Sequence, residues 1–114
     1  MPFLKTILAL GAGTLIAGLV PAAAAADVDA AAAEALARKS GCLKCHSTTR
    51  EKEGPSYKKV AEKYKGKADA QQKLAHFITT ESKVKVDGKE EIHKVLDTKD
   101  EADVRNLVSW ILTR

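Results

Sequence analysis

Cys42, Cys45, His46, His76 and His93 are the five thiols and imidazoles that this 114-residue chain offers for coordination or nucleophilic chemistry. Three of them form one run, Cys42-Leu43-Lys44-Cys45-His46. Two thiols three positions apart can add to two vinyl groups on one side of a porphyrin. The residue directly after the second thiol is then held beneath the iron, and a histidine there offers a neutral imidazole as an axial ligand. The run reads as attachment of one covalent c-type haem.

Three other chemistries compete for the same residues. A thioredoxin-like dithiol normally lies in a βαβ context, and the flanks here read as helix. A closed zinc site needs four ligands at suitable spacing, and neither a second C-x-x-C nor an H-x-x-x-H is present. A plain disulfide between Cys42 and Cys45 is the third. No general acid, base or nucleophile constellation stands out, so the chain does not read as an enzyme.

The chain ahead of this run divides in two. Residues 1–26 carry a single charge, Lys5, then an apolar run closed by Pro21 and five consecutive alanines. A charged start, a short apolar stretch and an A-x-A site describe a secretory signal peptide, with cleavage expected after Ala26. The apolar run is shorter than the ~20 residues of a spanning helix; retention as an anchor is the alternative. Residues 27–114 are then one exported domain in an oxidising compartment, the periplasm, without stable membrane insertion. Loss of Lys5 takes the formal charge from +4 to +3. That balance is too mild for nucleic-acid binding, and no basic tail or interleaving of basic and aromatic residues appears.

Four helical segments can position the motif. The first covers residues 30–39 after Asp27 or Asp29 as cap and stops at Gly41, with Ala32, Ala33 and Leu36 as a narrow small-residue face. The second, residues 56–65, carries Tyr57, Val60, Ala61 and Tyr64 at i, i+3, i+4, i+7. The third, residues 69–80, shows Leu74, Phe77 and Ile78, with Asp69 and Gln72 as a cap of the capping-box kind. The fourth, residues 99–113, follows a Thr98–Glu101 capping box and repeats Val104, Leu107, Val108 and Ile111. Between the last two, residues 83–89 alternate around Asp87-Gly88, as a small hairpin or an irregular loop would.

The run around the thiols also resembles a family. Residues 33–46 (AEALARKSGCLKCH) are similar to the N-terminal helix and haem motif of small bacterial class I cytochromes c. Residues 52–55 (KEGP) and 107–112 (LVSWIL) resemble that family's segment after the motif and its C-terminal helix. The resemblance implies an all-α, cytochrome c-like fold of about four helices packed around one covalent haem c. It implies Ala32, Ala33 and Leu36 crossing Val104, Leu107 and Val108. It also implies that Cys42 and Cys45 anchor the porphyrin, that His46 ligates iron, and that the Pro55 carbonyl accepts the His46 Nδ1–H. Turn chemistry alone would also explain Gly54-Pro55.

The chain departs from that pattern on the other side of the iron. Family members usually bring a methionine there from a loop before the last helix. The one methionine is Met1, and the loop instead holds Glu91-Ile92-His93-Lys94-Val95. His93 precedes Trp110 by 17 residues, close to the separation the family's methionine would need. His76, on the third helix, should point roughly opposite the Leu74/Ile78 stripe. His93 is thus the favoured sixth ligand, giving bis-histidine, low-spin haem. A five-coordinate iron remains open, as do His76 or Lys94 and, more remotely, Lys85 or Lys89.

Met/His ligation raises haem potential, so histidine in that place implies a low-potential, one-electron carrier. A ligand-binding sensor haem and the haem subunit of a larger oxidoreductase are the rival readings. Lys39, Lys44, Lys52, Lys58, Lys59, Lys63, Lys65 and Lys67 crowd the motif and the second helix. They read either as a docking surface for acidic redox partners or as a solvated face. Finally, aromatic residues make up only 4% of the chain. A domain this small buries only about 60–65% of its unfolded surface. A porphyrin supplies the apolar bulk, and the haem-free chain should fold poorly.

Overall fold

The computed structural model describes residues 27–114, with Gly13 and Gly18. The expected signal peptide and its cleavage site lie outside the described residues. In chain order the elements are α1 (Ala30–Lys39), a 3₁₀ turn (Cys42–Lys44), α2 (Tyr57–Tyr64), α3 (Ala70–Thr79), β1 (Ser82–Val86), β2 (Lys89–His93) and α4 (Glu101–Leu112). The fold is helical, as expected, with a short hairpin as the strand content among the described residues.

α4 is the hub against which the other three helices pack. Val104, Leu107, Val108 and Ile111 are all buried, as their spacing requires, and Trp110 joins them. α1 crosses α4, but through Ala33 and Ala37 rather than the Ala32, Ala33 and Leu36 face; Ala32 is exposed and Leu36 only half-buried. Two alanines four apart form a flat stripe that lets the backbones approach, and Leu36 then fits beside the contact rather than within it. The start of α1 is fixed by Asp29, whose side chain accepts the Ala32 N–H at 2.9 Å. Its backbone N–H and carbonyl also exchange hydrogen bonds with the Asn106 side chain on α4 at 2.9 and 2.8 Å.

Two caps differ from expectation. α4 begins at Glu101, capped by Asp100, whose carboxylate accepts the Asp103 N–H at 3.0 Å. The Thr98 hydroxyl instead accepts the Asp100 N–H at 3.1 Å, a local turn that sets up the cap rather than being it. Asp69 makes no side-chain cap bond to α3 and pairs with Lys73 one turn on, at 2.9 Å. α2 is capped by Ser56, whose hydroxyl accepts the Lys59 N–H at 3.2 Å.

The segment after α3 is a hairpin and not an irregular loop. β1 and β2 pair antiparallel, with Ser82 opposite His93, Val84 opposite Glu91 and Val86 opposite Lys89. Asp87 and Gly88 form the two-residue turn with φ of +50° and +78°, the doubly positive geometry that matches strand twist. His93 is the last residue of β2 and lies on the face shared with the half-buried Val84 and Val86; Lys83 and Lys85 take the exposed face.

Candidate haem site

Gly41, with φ +76°, ends α1 and turns the chain into the 3₁₀ turn. Residues i and i+3 eclipse in such a turn, so Cys42 and Cys45 stand on one side of it. Both are free and half-buried. The His46 N–H bonds to the Cys42 carbonyl at 2.9 Å, which folds the histidine back over the turn. The following segment is knitted to α2: Gly54 N–H to the Cys45 carbonyl at 2.8 Å, and Tyr57 N–H to the Ser47 carbonyl at 2.9 Å.

These bonds place the Pro55 carbonyl 2.6 Å from His46 Nδ1. A carbonyl only accepts, so Nδ1 carries the proton and Nε2 keeps its lone pair. Gly54 closes the cradle. A Cβ there would stand 2.5 Å from His46 Cε1 and 2.8 Å from Nδ1, so only glycine admits the ring. Tyr57 stacks on the His46 ring, ring centres 5.3 Å apart at 20°, and in turn meets Trp110 edge-on at 5.5 Å.

The thiols are not set up as nucleophiles. Burial pushes both Cys42 and Cys45 above the ordinary thiol range; the Tyr57 hydroxyl partly offsets this at Cys42, while Glu53 adds to it at Cys45. The Cys45 thiol donates to the Glu53 carboxylate at 3.3 Å. Reactive dithiols depend on a lowered pKa, the opposite of what is built here. Burial likewise pushes the Tyr57 hydroxyl far up, with the Cys42 sulfur adding to it.

His93 arrives from β2. Its ring centre lies 6.1 Å from that of His46 and 5.0 Å from that of Phe77. Burial pushes its pKa below the ordinary histidine range, the His46 ring adds to this, and the Lys94 backbone opposes weakly. Its Nδ1 is buried without a hydrogen-bond partner. An imidazole nitrogen reaches a first-row metal over about 2.0–2.1 Å, so two rings on opposite sides of one iron have centres about 6.3 Å apart. The observed separation matches. Among the described residues no cluster of three or more His, Cys, Asp or Glu side chains is arranged to hold a metal.

The structure thus brings Cys42, Cys45, His46, Pro55 and His93 into one region. His76 is exposed on α3, outside it. Lys94 is exposed and its ammonium lies by Gly41; Lys85 is on the outer face of the hairpin. The sequence reading missed the steric part of Gly54 and the contacts of Tyr57 and Phe77. Gly54 had a signal, a glycine directly before the proline of the motif's sequel.

The cytochrome c family model matches residues 30–114. The chain is 37% identical to cytochrome c2 of Rubrivivax gelatinosus over 78 residues, 68% of this chain and 91% of that one. It is 36% identical to cytochrome c-552 of Nitrosomonas europaea over 104 residues, 91% and 93% of the two chains. Among solved structures it resembles the class 1 cytochrome MtoD of Sideroxydans lithotrophicus ES-1 with a TM-score of 0.74 and 54% identity, covering 76% of this chain and 97% of that one. With a helical frame of this topology and a match across its whole described domain, the chain belongs to the cytochrome c family, with one covalent haem c and the role of an electron carrier rather than an enzyme.

Proposed function

We propose that the chain is an exported, periplasmic monohaem cytochrome of low potential whose iron is held between His46 and His93. The 6.1 Å separation of the two ring centres carries this reading. Residues 1–26 serve as the signal peptide, cleaved after Ala26, and residues 27–114 are the working domain. Among the described residues no helix is long and apolar enough to cross a membrane.

The bound haem supplies one-electron exchange between ferric and ferrous iron. Cys42 and Cys45 hold the porphyrin covalently. Pro55 fixes the tautomer and plane of His46 and raises its basicity, while Gly54 and Tyr57 prevent the ring from turning. His93, whose charged form burial disfavours, is the second imidazole. Tyr57, Trp110 and Phe77 exclude water around the rings, which limits reorganisation when the charge changes.

The exposed lysines of α2 and the motif give an acidic redox partner a surface to approach, although several have local roles. Lys59 pairs with Glu51, Lys52 donates to the Leu43 carbonyl, and Lys63 and Lys67 lie near the Tyr64 ring. A redox titration tests the ligand reading. The midpoint should fall below that of methionine-ligated relatives; a strongly positive midpoint in their range overturns it. His93→Ala should convert the low-spin spectrum to high spin with the haem still attached.

A further inference from the structure

The segment that carries the thiols and the chain that leaves His93 meet at Ser40. This serine stands two positions before Cys42 and is only 2% exposed. Its N–H donates to the Leu36 carbonyl at 2.9 Å, closing α1. Its hydroxyl accepts the backbone N–H of Asp97 at 3.1 Å, four positions beyond His93. Beside it, a Cβ on Gly41 would lie 3.2 Å from Lys94 Nζ and 3.9 Å from Lys94 Cδ, so the Lys94 stem crosses directly over the glycine. Ser40 and Gly41 together form a seat for the chain leaving β2.

The other anchors of the hairpin run to α3. The Leu96 N–H donates to the Ile78 carbonyl at 3.0 Å, and the Ser82 hydroxyl to the Phe77 carbonyl at 3.2 Å. A two-stranded ribbon is marginal by itself, so these few ties determine where His93 sits. Of these hydrogen bonds, the one to the Ser40 hydroxyl ties the chain beyond His93 to the thiol-bearing segment, beside the exposed Lys39–Asp97 pair.

We propose that Ser40 is a positioning residue for the sixth ligand: its hydroxyl holds the chain segment leaving His93 against the thiol segment and so keeps the His93 ring over the iron. This rests on the reading of His93 as ligand. Without the hydroxyl the buried tie is lost, the hairpin lifts more often, and an outside ligand gains access.

The test is carbon monoxide uptake by the ferrous holoprotein, followed by stopped flow, where departure of His93 limits the rate. Ser40→Ala should bind roughly three- to tenfold faster than the unmodified protein, the range expected for one net hydrogen bond. Ser40→Thr, which keeps the hydroxyl, should stay within about twofold of it. Asp97→Ala keeps the backbone N–H but removes the Lys39 contact at 4.0 Å, and should also leave the rate unchanged. A merely structural serine would lower the unfolding midpoint of Ser40→Ala while leaving carbon monoxide uptake unchanged, and that result overturns the proposal. His93→Ala separates the two readings. If it stays low spin, the ligand reading falls and the role of Ser40 with it. If it turns high spin while Ser40→Ala binds at the unmodified rate, the role of Ser40 falls alone.

Discussion

His46 stands in a segment closed by short-range ties, whereas His93 rides on a ribbon whose position is set from far along the chain. The Pro55 carbonyl that orients His46 is nine residues away, and Gly54 and Tyr57 lie in the same stretch. The Ser40 hydroxyl that seats the chain beyond His93 is separated from Asp97 by 57 residues. His46 therefore sits in a preformed cradle, and His93 on a hinged arm. A cradle resists perturbation until a side chain is forced into it. An arm gives way locally, at low cost and without unfolding the domain.

The largest effect should come from filling the cradle. Gly54→Ala places a methyl group 2.5 Å from His46 Cε1, on a ring already bonded to Pro55 and stacked on Tyr57. The backbone cannot back away freely because the Gly54 N–H is held by the Cys45 carbonyl at 2.8 Å. Overpacking of this kind costs about 1–3 kcal/mol. Denaturant unfolding of the holoprotein should show that loss, together with a changed absorption spectrum as the ring rotates. An unchanged spectrum and midpoint would mean that the cradle is softer than its contacts imply.

This contrast also explains what could be read from the chain alone. The proximal side is local in sequence, so Cys42, Cys45, His46 and Pro55 could all be named from one run and its sequel. The stripe on α4 was legible because helical spacing directly reports burial. The expectation for a sixth ligand rests only on what is missing, a methionine, and on the position of His93. That His93 ends a strand was not legible, since four residues of alternating lysine and valine suit a hairpin or a loop equally. Ala37 was overlooked on α1 because in a run rich in alanine every face looks alike, and the packing partner chooses among them. The start of α4 is harder to read because Thr98, Asp100 and Glu101 offer several acceptors in a few residues, whereas Asp69 does stand at the N-cap of α3 but turns its carboxylate to Lys73.

The arm should respond to its turn. Gly88 has φ +78°, and a β-carbon in that region costs about 1 kcal/mol. Gly88→Ala should weaken the hairpin by that amount. Because no atom lies within 4 Å of the position, the cost is conformational and confined to the turn. The expected signature is carbon monoxide uptake about fivefold faster, with a smaller shift in the unfolding midpoint than Gly54→Ala gives. A large fall in midpoint with unchanged uptake would reverse the assignment of cradle and arm.

The smallest effect should lie on the outer face of the same hairpin. Lys83 and Glu90 form an ion pair of 2.9 Å across the strands, with side chains 69% and 59% exposed. Water screens such a pair and two long side chains lose freedom to make it, so it contributes about 0.5 kcal/mol or less. Glu90→Ala should therefore leave carbon monoxide uptake and the unfolding midpoint nearly unchanged at moderate salt. The comparison with Gly88→Ala isolates what holds the arm. Both changes lie in the hairpin, one in its backbone geometry and one in its surface charge. If Glu90→Ala speeds uptake as much as Gly88→Ala does, the arm is held by cross-strand electrostatics, and raising the salt concentration should then loosen it in the unmodified protein as well.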